Sequence, residues 1–171
     1  MRLFIAILLS KNMKRALLRA QDAMAAQGVR GNYSPEENLH LTLAFLGECC
    51  QAEPVLDALQ TVSFTPFELT LDGIGCFGDL WWAGVGESSA LTAVARRVRR
   101  ALTESGIPFD SKRFSPHITL IRKASRDAAG VRVDAAAMTV ASLSLMRSDR
   151  GRNGMIYTEL GRVEAAFPGK E

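Results

Sequence analysis

Two short segments carry the same chemistry-bearing pattern, His40-Leu41-Thr42-Leu43 and His117-Ile118-Thr119-Leu120, and they hold the only two histidines of the chain. In a β-strand the side chains at i and i+2 stand on one face. Each histidine therefore shares a face with its threonine, while the flanking apolar residues point the other way. An imidazole with an ordinary pKa of ~6.5 changes charge near neutral pH, so one ring can take a proton while a second gives one. Threonine hydroxyls can donate hydrogen bonds to oxygens on which negative charge grows during a reaction. Two imidazoles and two hydroxyls around one cleft suit acid–base cleavage of a phosphodiester, with no metal, cofactor or covalent nucleophile required. A lone histidine in a half-buried strand is ordinary; its repetition in a matching pattern is what carries the reading.

The elements that must position these residues repeat as well. In the first half an apolar strand at about 2–9 leads to an amphipathic helix at about 11–27 that stops at Gly28, where a left-handed cap is expected. A loop with Ser34-Pro35 follows, then a strand from about Leu39. In the second half a strand at about 80–86 leads to a helix at about 89–105, a stop at Gly106, a loop with Ser115-Pro116 and a strand at His117. Gly28 and Gly106 stand 78 positions apart, and His40 and His117 stand 77 apart. Leu91, Val94, Ala95, Val98, Ala101 and Leu102 make one apolar stripe on the second helix, which Ser88 or Ser89 can cap.

A third helix is expected near Pro54–Thr61, and period-two alternation marks Phe67–Asp72 and a run over Met138–Leu145. A last strand is expected at about Met155–Val163 after a turn at Gly151 and Gly154. These elements predict an α+β fold of two pseudo-symmetric lobes, each a mainly antiparallel sheet with helices packed outside, and a cleft between them. The lobes are expected to be built on 1–47 and 79–123 of a single domain, with 48–78 and 124–171 crossing to complete the sheets.

Composition supports an ordinary folded protein: 171 residues, 47% hydrophobic and 23% charged, which excludes disorder and collagen-like repeats. The net charge of +3 hides an asymmetry. Residues 1–95 hold 6 basic and 10 acidic side chains, whereas residues 96–171 hold 15 basic and 8 acidic. A basic second half suggests an anionic partner. Cys49, Cys50 and Cys76 are an odd, unevenly spaced set, expected to be buried or idle thiols in a reducing compartment. The apolar start at Leu3–Leu9 is too short for a signal peptide or a bilayer span, so a buried strand and a cytoplasmic protein are expected.

Within their surroundings, Asn38-Leu39-His40-Leu41-Thr42-Leu43-Ala44-Phe45-Leu46-Gly47 and Ser115-Pro116-His117-Ile118-Thr119-Leu120-Ile121-Arg122, the paired motifs resemble the two-histidine phosphoesterase superfamily. They are similar to its LigT-like branch, the RNA 2′,3′-cyclic phosphodiesterases also called 2′-5′ RNA ligases. The opening Arg2–Ile7, Leu143–Ser148 and Tyr157–Leu160 extend the resemblance over nearly the whole chain. It implies hydrolysis of a 2′,3′-cyclic phosphate at an RNA end to a 2′-phosphate. By analogy His40 is the proton donor and His117 the proton acceptor, without a cofactor, and 2′-5′ ligation follows if a 5′-hydroxyl replaces water. Two alternatives stand beside this one: a phosphodiesterase of small cyclic nucleotides from the same superfamily, and a non-catalytic RNA-binding module. A monomer is expected.

Five residues beyond each histidine stand Phe45 and Arg122. Arg122 matches the family's arginine after the second motif and is expected to bind phosphate, as are Thr42 and Thr119; Phe45 offers an aromatic face for a base. Regular pleating would turn both Phe45 and Arg122 away from their histidines, and only a bulge or a strand end would bring them back. The run Arg96-Arg97…Arg99-Arg100 is expected to be a solvated helix face, with RNA-backbone contact as the alternative. Lys112 and Arg113 are better placed to meet a phosphate chain, and Trp81 and Trp82 are expected to split between core and surface.

Overall fold

The computed structural model describes residues 1–48 and 51–167. Its first strand, β1 (Arg2–Leu8), buries Leu3 to Ile7 without a break, because it has a neighbouring strand on each side and apolar groups on both faces. Ser10 then caps α1 (Lys11–Ala26), its hydroxyl accepting from the Met13 amide at 3.2 Å. Ser88, 78 positions later, caps α3 (Ser89–Glu104) in the same way, accepting from Leu91 at 3.0 Å. Each such cap contributes about 1 kcal/mol by satisfying an amide that has no partner within the helix.

The helix ends also match. Past α1, Gly28 adopts φ +84° and its amide donates to Ala25, while Val29 donates to Met24. Past α3, Gly106 adopts φ +68° and donates to Thr103, while Ile107 donates to Leu102. Both are the six-residue closure that a left-handed glycine permits.

The remaining elements are β2 (Asn32–Tyr33), β3 (His40–Glu48), α2 (Glu53–Gln60), β4 (Phe67–Phe77), β5 (Leu80–Val85), β6 (Ile118–Arg122), β7 (Ala137–Val140), β8 (Ser142–Gly151) and β9 (Gly154–Glu164). They form two sheets in which every paired strand is antiparallel. One has four strands in the order β3-β1-β8-β9, and the other has five in the order β2-β6-β5-β4-β7. The fold is α+β, as the sequence predicts.

Two features of the assembly depart from the sequence reading. The alternating run Met138–Leu145 is not one strand: β7 ends at Val140 in the five-stranded sheet and β8 begins at Ser142 in the four-stranded one. Alternation specifies which face is buried and says nothing about which strand lies alongside. The helices, moreover, cross over. Helix α1 follows the four-stranded sheet's β1 and packs on β6 and β7 of the other, whereas α3 follows β5 and packs on β3 of the four-stranded sheet as well as on β4 of the five-stranded one.

One shared core joins the helix-covered faces of both sheets, with Leu41 and Leu43 of β3 and Ile118 and Leu120 of β6 all fully buried in it. A second, small cluster of Phe4, Ala6 and Met146, covered by Tyr157, lies on the opposite face of β1. The third helix starts and ends within a residue of its expected span. Cys49 and Cys50 lie outside the described residues. Cys76 is exposed rather than buried, near the solvent end of β4.

Candidate active site

Strands β3 and β6 belong to different sheets yet touch, and this contact brings the two motifs together. His40 opens β3, and His117 immediately precedes β6. Each ring is held from behind in the same manner. The Nδ1 of His40 lies 2.7 Å from the carbonyl oxygen of Asn38, and the Nδ1 of His117 lies 2.7 Å from that of Ser115. A carbonyl can only accept, so each Nδ1 carries the hydrogen and each neutral ring keeps its lone pair on Nε2. Nε2 of His40 meets the Thr42 hydroxyl at 2.8 Å.

Aromatic rings wedge both imidazoles. Tyr157 stands edge-on to His40 at 5.3 Å and Phe4 lies 4.9 Å away, while Phe77 stands edge-on to His117 at 5.1 Å with Trp82 at 6.1 Å. Phe4 and Trp82 are again 78 positions apart. Burial pushes the pKa of His40 below the ordinary imidazole value. The Asn38 carbonyl opposes this, and the positive charges of Arg122, His117 and Lys14 reinforce it.

Phe45 and Arg122 reach the cleft because both strands are irregular at the same place. Between β1 and β3 the pairing runs Ala6↔Thr42 and then Ile5↔Ala44, leaving Leu43 as an extra residue. Between β5 and β6 it runs Trp82↔Thr119 and then Trp81↔Ile121, leaving Leu120 extra. Consecutive residues, Leu43-Ala44 and Leu120-Ile121, are therefore buried, and the next side chain emerges on the histidine's face.

His40, Thr42, Phe45, His117, Thr119 and Arg122 line a single cleft of about 770 Å³. Arg2, Arg150 and Tyr157 line it too, and the sequence motifs did not single these out. Arg2 and Tyr157 fall in segments that carry the family resemblance, but neither this nor the alternation of β8 and β9 gives the strand order that brings Arg150 and Tyr157 to the site. Two further cavities share its walls. One, of about 440 Å³, holds Phe45, Phe77, Lys112, Arg113 and His117; the other, of about 460 Å³, holds Tyr33, His40, Thr119 and Arg122.

Trp81 is buried while Trp82 is half-buried beside His117, so the two rings do split. The arginine run is not a uniform solvated face. Arg96, Arg97 and Arg100 are exposed, but Arg99 turns inward to the Leu43 and Lys112 carbonyls, because the helix rotates it toward β3. Among the described residues, no three His, Cys, Asp or Glu side chains gather as metal ligands would.

Two facing antiparallel sheets that present paired His-x-Thr strands across one cleft define a two-histidine phosphoesterase. The sequence profile of the 2′-5′ RNA ligase superfamily matches residues 17–152, and the chain belongs to that family. It is 32% identical to an RNA 2′,3′-cyclic phosphodiesterase of Aeropyrum pernix, covering 90% of this chain and 97% of that one. It is 37% identical to another, of Geobacillus stearothermophilus, over 70% of this chain but only 41% of the relative's length. The crystal structure of Escherichia coli LigT in its apo form superposes with a TM-score of 0.82 at 29% identity, covering 96% of both chains. LigT has also been solved with phosphate and with 3′-AMP.

Proposed function

We propose that the protein hydrolyses 2′,3′-cyclic phosphate at RNA ends to a 2′-phosphomonoester. The observation that carries this reading is the pair of imidazoles, each with Nδ1–H fixed to the carbonyl two residues before it, lining one cleft with two threonines and an arginine. Thr42, Thr119 and Arg122 hold the non-bridging oxygens, and the planar fork of Arg122 suits them. His117 takes a proton from water as its oxygen attacks phosphorus. The P–O3′ bond breaks, and His40 delivers a proton to the departing O3′.

The lowered pKa of His40 fits the acid role once substrate is present, because a phosphate anion in the cleft offsets the effects of burial and of Arg122. The side cavities support a substrate that continues past its reacting end, with Phe45 against a base and Lys112 and Arg113 along the chain. Both histidines come from one chain, so a monomer suffices, and the RNA substrate fits a cytoplasmic setting. No helix among the described residues is long and apolar enough to cross a membrane. A 5′-hydroxyl in place of the attacking water would form a 2′-5′ linkage through the same groups.

The direct test incubates the protein, with EDTA present, with an oligoribonucleotide bearing a terminal 2′,3′-cyclic phosphate and identifies the product. A 2′-phosphate is expected, with His40→Gln and His117→Gln each losing about 10²–10⁴-fold in kcat. A 3′-phosphate product, or turnover confined to mononucleotides, overturns the reading.

A further inference from the structure

We propose that Gln21 and Arg99 are a matched pair of positioning residues, each locking the bulge in the opposite half's catalytic strand and so aiming the side chains that line the cleft. This rests on the hydrolase reading above. Gln21 is a polar residue buried on the apolar face of α1, only 7% exposed. Its amide nitrogen donates to the Ser34 carbonyl at 2.8 Å and to the Leu120 carbonyl at 2.9 Å. A glutamine amide has two N–H groups, and both are used. Leu120 is the extra residue of the β6 bulge.

Arg99 stands 78 positions later, the equivalent place on α3. Its Nε donates to the Leu43 carbonyl at 3.3 Å, and Leu43 is the extra residue of the β3 bulge. Its Nη1 donates to the Lys112 carbonyl at 2.7 Å, the counterpart of Ser34 by the same offset. Phe109 and Phe114 flank the guanidinium at 5.6 and 5.7 Å.

A bulge takes its extra residue out of the regular ladder. The Leu120 carbonyl accepts from the Ser34 amide at 2.9 Å as well as from Gln21, so Gln21 ties the β6 bulge and the segment after β2 to α1, while Arg99 ties the Leu43 carbonyl to α3. Thr119 and Arg122 flank the peptide held by Gln21, and Thr42 and Phe45 flank the one held by Arg99. The coupling is reciprocal: the first-half helix sets the second-half strand, and the second-half helix sets the first-half strand. Arg99 adds a second effect, since the loop it grips carries Lys112 and is tied to β3 by the Asp110 amide on the Phe45 carbonyl at 2.8 Å.

The test uses Gln21→Met and Arg99→Met, with Gln21→Asn and Arg99→Lys as milder variants should either methionine variant fail to fold. Because the chain has two histidines, two sets of imidazole NMR signals report the two strands separately. Gln21→Met is expected to shift the His117 signals and leave those of His40 in place, while Arg99→Met does the reverse. In each folded variant kcat falls by about 10²-fold, the size expected when reacting groups are displaced by about 1 Å, and KM changes less. Arg99→Lys keeps the charge but loses the fork, so its kcat is expected to fall with that of Arg99→Met.

Shifts that fall equally on both histidines, or kcat within twofold of wild type in the folded variants, overturn the proposal. So does full activity in Arg99→Lys, which would make Arg99 a plain charge. The spectra need no turnover, so wild-type protein inert toward cyclic phosphates would sink the hydrolase reading while the crossed pattern still decides the pairing.

Discussion

Phe45 and Arg122 occupy matching positions in the two halves, five residues past their histidines, and each reaches the shared cleft by the same one-residue bulge. The backbone device is duplicated, but the side chains have diverged. One half offers an aromatic face that is 48% exposed and the other a cation. A symmetric frame thus carries an asymmetric site, as a nucleotide with a base on one side and a phosphate on the other requires.

That divergence predicts different kinetic signatures. With Arg122 in the proposed phosphate-binding role, Arg122→Ala removes a charge-assisted bond worth about 1.5–3 kcal/mol, so kcat/KM is expected to fall roughly 10–150-fold on every cyclic phosphate. With Phe45 in the proposed base-stacking role, Phe45→Ala removes stacking worth about 1–3 kcal/mol per base, so its loss should appear in KM with nucleotide substrates. It should vanish with ribose 2′,3′-cyclic phosphate, which has no base. An equal loss on both substrates would place Phe45 in the frame of the strand and not against the base.

The paired motifs, the serine cap of the second helix and the glycine stops were legible in the sequence because each is local, needing only neighbours within about five residues. The duplication was legible for the same reason. The bulges were not, although Leu43-Ala44 and Leu120-Ile121 each break the alternation with two apolar residues in a row. A broken alternation has the same appearance at a strand end, and only the partner strand distinguishes the two. Strand order was equally hidden, and with it the arrival of Tyr157 beside His40 and the division of Met138–Leu145 between two sheets. Gln21 and Arg99 looked like one residue in an amphipathic helix and one in a basic run, because their partners come from the other half of the chain.

The pH dependence of hydrolysis should distinguish the two histidines. The profile of kcat/KM reports the free protein and that of kcat the substrate complex. The depressed pKa of His40 shapes one limb of kcat/KM, and bound phosphate raises it, so that limb should lie at higher pH in kcat. Arg122→Gln removes one of the charges that lower His40 and should move the same kcat/KM limb upward. A kcat/KM profile that ignores Arg122 would mean that His40 does not titrate in the reaction.

The same depressed pKa has a consequence for stability. Burial favours the neutral His40 ring in the folded protein, whereas the unfolded chain protonates it at the ordinary ~6.5. Between those two values the unfolded state binds more protons, so stability is complete above ~6.5 and is lost as pH falls through the folded pKa. His40→Gln, which cannot charge, should lose less melting temperature than wild type between pH 7 and pH 5. A larger acid loss in the variant would mean that the folded protein holds the His40 proton more tightly than the unfolded chain does.

The helix stops provide a prediction about where the chain turns from one sheet toward the other. At Gly106 an added Cβ would meet nothing within 4 Å, so only its φ of +68° penalises a side chain. At Gly28 the Cβ would meet the Arg126 guanidinium at 3.4 Å, the movable end of a long side chain, so φ again dominates. Holding a residue with a Cβ in this left-handed region costs about 1–2 kcal/mol. Gly28→Ala and Gly106→Ala should therefore each lower the melting temperature by about 2–8 °C, given roughly 2–4 °C per kcal/mol for a domain of this size. Asparagine tolerates this conformation better and should lose less at both positions. The sites lie at equivalent ends of two separate helices, so the double alanine variant should show the sum of the two losses by thermal denaturation. A Gly106→Ala protein that melts with wild type would mean that α3 can end without the left-handed residue. In that case the bonds from Gly106 to Thr103 and from Ile107 to Leu102 would not be what stops the helix.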